Sequence, residues 1–286
     1  MDGRTRRRLS GMLVAISFAI VALGIARASV GPAEQRGTFA LLGGAPKIVS
    51  EFWAVRGTGL IATLKIRQFA LDGTTPIRNY DVDMEKLIHL IVVRDDFATF
   101  AHLHPDFDAT SGTFSQTFTK APNHRYYVYA DTTPHGVGQQ VFRFTIESDG
   151  PLARSNSAFG PSQPKVVVGP YTAFLGRTTI VPNEAQSLRL TILKNGQPAR
   201  DLGTYLGAAA HAVFINTSTL DYVHVHPRTS GAAGMATAMN MTMSAQAGPI
   251  MQLDIPPLRA GTYKLWIEFR GANDAVYTAP FTMLAR

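Results

Sequence analysis

The sequence predicts an all-β chain: two tandem immunoglobulin-like β-sandwich domains behind an N-terminal signal or anchor segment. Three observations carry this. Short runs rich in β-branched and aromatic residues recur along the chain, separated by Gly, Pro, Asn and Asp turns. No stretch after residue 30 keeps a helical apolar period over three turns. One pattern of residues occurs twice, at an offset of 122 positions. At 286 residues, 45% apolar and 16% charged, the chain can bury a sizeable core. It has no cysteine, which excludes disulfides, thiolate metal sites, iron–sulfur clusters and a cysteine nucleophile.

The elements follow in order. Residues 1–10 are basic, residues 11–26 are an unbroken apolar or small run, and Ala26-Arg27-Ala28 offers small residues for cleavage after Ala28. A membrane span needs about 20 apolar residues and this run is shorter, so residues 1–28 read as an export signal. The alternative is an uncleaved anchor, tethering the chain to a membrane through residues 11–26. Either way the rest works outside the cytoplasm, periplasmic or secreted. The formal charge of +7 is concentrated here, because residues 1–28 hold five arginines against one acid. What is left beyond residue 28 is too little to argue for nucleic acid, and no basic cluster with interleaved aromatics is present. Residues 29–48 read as a flexible entry segment, 49–147 as the first sandwich, 148–164 as a Gly/Pro/Ser-rich linker and 165–286 as the second sandwich.

Strands are expected at residues 60–70, 87–94, 97–104, 113–119, 125–131 and 139–147. In the second copy they are expected at 165–168, 187–194, 210–217, 221–226, 250–254, 262–269 and 276–284. The repeat is sharpest at its histidines. His89, His102, His104 and Pro105 match His211, His224, His226 and Pro227, so each copy reads H-x12-H-x-H-P. Tyr126–Asp131 likewise parallels Tyr263–Phe269. Side chains alternate along a strand, so His102 and His104 share a face, as do His224 and His226. A hairpin loop of even length puts the first histidine of each triplet on that same face, whereas an odd loop would put it on the other face and remove the three-ligand site. His89 then lies opposite His102, with Asp95-Asp96 at the turn, or opposite His104. In the second copy, Thr217-Ser218 at the turn sets His211 opposite His224.

Three imidazoles on neighbouring strands can close on one ion, and with no thiolate available they suit copper, zinc or nickel. This predicts two metal sites, His89/His102/His104 and His211/His224/His226. A structural role for strand-end histidines is the competing reading. Met235, Met239, Met241, Met243 and Met251 cluster in the longer second copy, and Met239, Met241 and Met243 alternate, as a soft auxiliary Cu(I) site would, with a flexible apolar loop that fills a gap as the competing reading. Copper is therefore the most economical single ion, with zinc the alternative. Trp53 and Trp266 read as core residues, and His124 and His135 as solvated turn residues. No nucleophile-elbow, phosphate-loop or H-E-x-x-H motif is present.

The stretches 84–93, 102–105, 205–211 and 222–227, with Gly261-Thr262-Tyr263-Lys264-Leu265-Trp266, resemble a family of bacterial secreted proteins labelled heavy-metal-associated. The resemblance covers most of residues 50–286 and implies an exported bacterial protein. The layout is also distantly similar to periplasmic copper-resistance β-sandwiches. Those use an N-terminal histidine of the mature chain, where this one would start at Ser29. The resulting expectation is an exported metal-binding protein, for copper, in buffering, delivery or resistance. A cell-envelope interaction module without metal is the alternative, and a metal-dependent enzyme the least favoured.

Overall fold

The computed structural model describes residues 34–153, 160, 162–230 and 247–286. Residues 1–28, expected to be an export signal or anchor, and Met235, Met239, Met241 and Met243 lie outside them. The first half contains β1 (Gln35–Arg36), β2 (Thr38–Phe39), β3 (Val49–Arg56), β4 (Ile61–Phe69), β5 (Ile88–Arg94), β6 (Phe100–Leu103), β7 (Asp106–Asp108), β8 (Thr113–Thr119), β9 (Tyr126–Thr132) and β10 (Gln140–Ile146). The second contains β11 (Lys165–Val168), β12 (Tyr171–Leu175), β13 (Thr179–Ile180), β14 (Gln186–Lys194), β15 (Gln197–Pro198), β16 (His211–Asn216), β17 (Tyr222–Val225), β18 (Arg228–Thr229), β19 (Ile250–Ile255), β20 (Gly261–Arg270) and β21 (Val276–Ala285). The chain is all-β, as its strand spacing predicts.

Each half supplies two sheets. In the first they run β1-β3-β4-β8-β7 and β2-β10-β9-β5-β6. In the second they run β11-β12-β14-β19-β18, with β15 on β14, and β13-β21-β20-β16-β17. Neighbours are antiparallel except β13 with β21. Alternation explains the packing. On β5, Ile88, Leu90 and Val92 enter the core of the first half with Leu64, Ile66, Phe114, Val128 and Phe144. On β16 and β20, Ala212, Phe214, Leu265, Ile267 and Phe269 enter the core of the second half.

The opposite faces of these strands are buried too. Ile91, Val93, Phe97, Tyr129 and Val141 of the first half form a third apolar cluster with Val213, Ile215, Tyr222 and Trp266 of the second. A strand buried on both faces reads as a near-continuous apolar run, as Ile88–Val93 and His211–Asn216 do. The two halves thus belong to one compact unit, joined face to face. Trp266 stacks on Phe100 at 4.9 Å between ring centroids, and Tyr129 on Tyr222 at 5.1 Å.

Two expectations need correction. The described part of the entry segment is docked, not flexible. Ala40 N–H donates to the Val141 carbonyl at 2.9 Å, and the Ala40 carbonyl accepts from Tyr222 N–H at 3.1 Å, so this residue bridges the halves. Secondly, Trp266 belongs to the contact between halves and not to a sandwich core. Strands β3 and β12 also form where none was expected. His124 is not a solvated turn residue: its Nδ1 lies 3.0 Å from Asp95 and its side chain is largely buried. His135 is exposed, as expected, beside Asp81.

Candidate metal centre

Both hairpins have even loops, so each triplet does share a face. The register of β5 with β6 pairs Ile91 with His102 and Leu90 with Leu103, which sets His89 alongside His104. The register of β16 with β17 pairs Val213 with His224 and Ala212 with Val225, setting His211 alongside His226 and correcting the expected His211–His224 pairing. Side-chain caps explain the one-residue shift. Asp96 accepts from Ala98 N–H at 3.0 Å while holding Arg94, and Asn216 accepts from the N–H groups of Ser218 and Thr219 at 2.9 and 3.0 Å.

The sequence reading set the two triplets apart, and in the fold they lie against each other; His89, His102 and His104 form one group at ligand spacing, and His102 also lies at ligand spacing from His211 and His224. The face that carries His89 and His102 packs against the face that carries His211 and His224, at the polar end of the contact between halves. Ring centroids of His89 and His102 lie 5.1 Å apart, and those of His211 and His224 5.3 Å apart. Across the contact the spacing is similar: His89–His224 5.2 Å, His102–His211 5.3 Å and His102–His224 5.5 Å. Ligand nitrogens of His89, His102 and His104 lie within 4.8 Å of one another, and so do those of His102, His211 and His224. His226 packs edge-on against His211 and His224 at 4.7 and 4.5 Å. All six histidines form one cluster.

Two carboxylates complete it, and the sequence reading missed them. Asp131 pairs with His89 in the sheet, and Glu268 with His211. They occupy equivalent places, five residues after Tyr126 and Tyr263, and both are buried. The signal was an acid at the same step of two otherwise apolar strands. Each reaches across to the other half. Glu268 Oε2 lies 2.7 Å from His102 Nδ1, and Asp131 Oδ2 lies 3.5 Å from His224 Nδ1. Asp131 also accepts from Tyr222 Oη at 3.1 Å and Gln139 Nε2 at 2.9 Å.

The hydrogen bonds fix which ring nitrogens carry lone pairs. His89 Nε2 lies 3.0 Å from the Asp83 carbonyl, and His211 Nε2 lies 2.9 Å from the Tyr205 carbonyl. A carbonyl only accepts, so both Nε2 atoms carry protons and both Nδ1 atoms present lone pairs. Equivalent tight turns place those carbonyls: Asp83 bridges Lys86 and Tyr205 bridges Ala208. His89 Nδ1 faces His102 Nε2 at 2.8 Å, and His211 Nδ1 faces His224 Nε2 at 3.1 Å. Two nitrogens on one ion at about 2.0–2.1 Å lie about 2.9–3.4 Å apart, between right-angle and tetrahedral geometry. His104 Nε2 and His226 Nε2, again equivalent, are buried and have no hydrogen-bond partner.

The electrostatics suit neutral ligands. Burial, reinforced by His89, holds His102 down to about 3. Burial, with His102 and His89 beside it, brings His104 to about 3. Burial also pushes His211, His224 and His226 below the usual imidazole value. It raises Asp131, and lifts Glu268 to about 7 against the hydrogen bond from Thr278. Burial favours a proton shared between Glu268 and His102 Nδ1 at 2.7 Å. Were His102 Nε2 to hold an ion, Nδ1 would carry the proton and a Glu268 carboxylate would accept it, orienting the ring. A cavity of about 330 Å³, lined by Val82, Asp83, Thr133, Gln139, His224 and His226, leads to the cluster.

A family model described as "Domain of unknown function (DUF8832)" matches residues 60–150 and 165–286. The chain belongs to the DUF8832 family. The matched segments contain all six histidines and both carboxylates of the cluster. No curated protein matches the chain. Among solved structures, it is similar to a pullulanase from Anoxybacillus sp. LM18-11 at 12% identity, covering 79% of this chain and 25% of that one, with a TM-score of 0.19. It is also similar to E. coli alpha-2-macroglobulin at 10% identity, covering 87% and 16%, TM-score 0.23. Red sea bream transglutaminase gives 10% identity, 85% and 32%, TM-score 0.22. The chain spans about a third or less of the length of each.

Proposed function

We propose that this DUF8832 protein is an exported metal-binding protein whose cargo is copper, acting in buffering, delivery or resistance outside the cytoplasm. The observation that supports metal binding is the set of ring nitrogens. His89 Nδ1 and His211 Nδ1 present lone pairs at ligand spacing from a second imidazole nitrogen, and two further buried nitrogens, His104 Nε2 and His226 Nε2, have no protein partner. Bound metal would give such nitrogens a partner, with His89, His102 and His104 at ligand spacing from one another and His102, His211 and His224 likewise. Imidazoles without thiolates select copper or zinc, and the methionines at 239, 241 and 243, thioether ligands close in sequence to His226, favour copper. Export rests on residues 1–28, and delivery or resistance on the likeness to secreted heavy-metal-associated proteins.

Calorimetric titration with copper and with zinc, beside a His102→Ala/His224→Ala double variant, tests this. Binding by the native chain that is lost in the variant supports the reading. No binding, or binding unchanged in a folded variant, ends it and leaves an envelope interaction module with strand-end histidines.

A further inference from the structure

The two histidine triplets and the two carboxylates belong to one buried cluster, so its capacity is a property of the whole and not of two independent sites. We infer that the cluster is a charge-matched centre that takes two monovalent cuprous ions, or one divalent ion. This rests on the metal-binding reading above and extends it to the charge and number of the ions.

The histidines bring ligands but no charge when an ion is bound, since each offers a neutral imidazole. The charge of the cluster therefore comes from Asp131 and Glu268, each buried on the contact face. Of the groups at its rim, Asp83 lies toward His226 and Lys86 toward His104, and these two oppose one another. Lys264 is on the same strand as Glu268 but four residues away, toward the apolar end. Two cuprous ions, or one divalent ion, balance the two carboxylates. Two divalent ions leave two positive charges uncompensated in a buried site, which is strongly disfavoured.

Crowding sharpens the choice. Ring centroids from opposite halves are 5.2–5.9 Å apart, little more than the 4.5–5.3 Å within a half. Two ions, each about 2 Å from its ring nitrogens, would sit within roughly 6 Å of each other. At that distance the repulsion between two divalent ions is about four times that between two monovalent ones. The ligand sets agree. His89, His102 and His104 lie at ligand spacing, His211 and His224 form a second set with His102 within reach of both, and His226 packs beside that second set. The crossed carboxylate, Glu268 on His102 at 2.7 Å, means that an ion held by the first triplet is oriented by the second half.

The test is stoichiometry. The full chain is titrated anaerobically with Cu(I) against a chromogenic Cu(I) chelator, and separately with Zn(II), with native mass spectrometry counting the ions. The expected result is two Cu(I) but a single tight Zn(II), any second zinc being at least about a hundredfold weaker. Glu268→Gln, which keeps shape and removes one charge, is expected to cut the tight Cu(I) capacity from two to one. Asp131→Asn serves the same purpose should Glu268→Gln not fold. Two equally tight zinc ions, only one Cu(I) on the native chain, or two Cu(I) retained at native affinity in a folded carboxylate variant would overturn the charge-matched centre while leaving metal binding intact. Absence of all binding overturns the function proposed above instead.

Discussion

Acidification of the metal-free protein should unfold or open it well before ordinary acid denaturation. The side chains of His102 and His224 are 0% and 1% exposed. Burial holds both far below the 6.5 of a free imidazole, His102 to about 3. Below pH 6.5 the unfolded chain therefore binds protons that the folded chain refuses, and stability falls with pH until the folded values are reached. From pH 8 to pH 5 each histidine costs about 2 kcal/mol, or about 4 kcal/mol for the pair. Glu268 acts the other way: raised to about 7, it takes up its proton in the fold first and returns about 2 kcal/mol over the same interval. His211 and His226 add to the loss, and Asp131 adds to the gain. The net expectation is a loss of about 3–5 kcal/mol against a typical total of about 5–15 kcal/mol. Urea unfolding of chelator-treated protein at pH 8, 7, 6 and 5, followed by tryptophan fluorescence and circular dichroism, measures it. A His102→Gln/His224→Gln variant should lose much of the pH dependence. A midpoint that holds steady or rises between pH 8 and pH 5 would refute neutral, buried imidazoles.

Two further predictions concern the frame around the cluster. Glu85 sits at φ +67 in the turn that presents the Asp83 carbonyl, where the second half has Gly207 at φ +74. Glu85→Gly should raise stability by up to about 1 kcal/mol, because a left-handed conformation strains any residue with a Cβ; a lowered melting temperature would contradict the strain. Trp266, stacked on Phe100, ties the halves together. Trp266→Ala should cost about 3–5 kcal/mol in urea unfolding, whereas a loss below about 1 kcal/mol would show that this contact does not hold the halves.

What the chain revealed by its own pattern was local. Alternation along residues 87–94 and 210–217 marked strands, and the H-x-H step placed two imidazoles on one face whatever the turn did. Whether the hairpin loops were even was not legible, and the register was only narrowed to two choices in the first copy, because Asp96 and Asn216 spend their side chains on the turn and move its centre by one residue. Strands β3 and β12 escaped because Ser50, Glu51 and Arg56 interrupt one apolar run and the other is only five residues long. The docking of the halves was least legible of all. Both faces of β5 and β16 are apolar, and a run such as Ile-His-Leu-Ile-Val-Val does not say which partner covers its second face. The fusion of two predicted sites into one cluster, and the crossed carboxylates with it, depended on that docking.

The contact between halves presents two solutions to the same packing problem. At one end Tyr129, Val141, Val213, Tyr222 and Trp266 fill the space with apolar surface. At the other, six imidazoles and two carboxylates are packed into protein. Polar groups packed this way stabilise less than apolar residues of the same volume would, since each must be stripped of water and then fully paired. The hydrogen bonds pair His89, His102 and His211 but leave His104 Nε2, His224 Nδ1 and His226 Nε2 without a protein partner. Hydrogen bonding within the protein accounts for the paired rings and not for these three nitrogens. Two of them, His104 Nε2 and His226 Nε2, are equivalent positions of the repeat, so the same shortfall arises in both copies, and the proposed metal binding would remove it in both places.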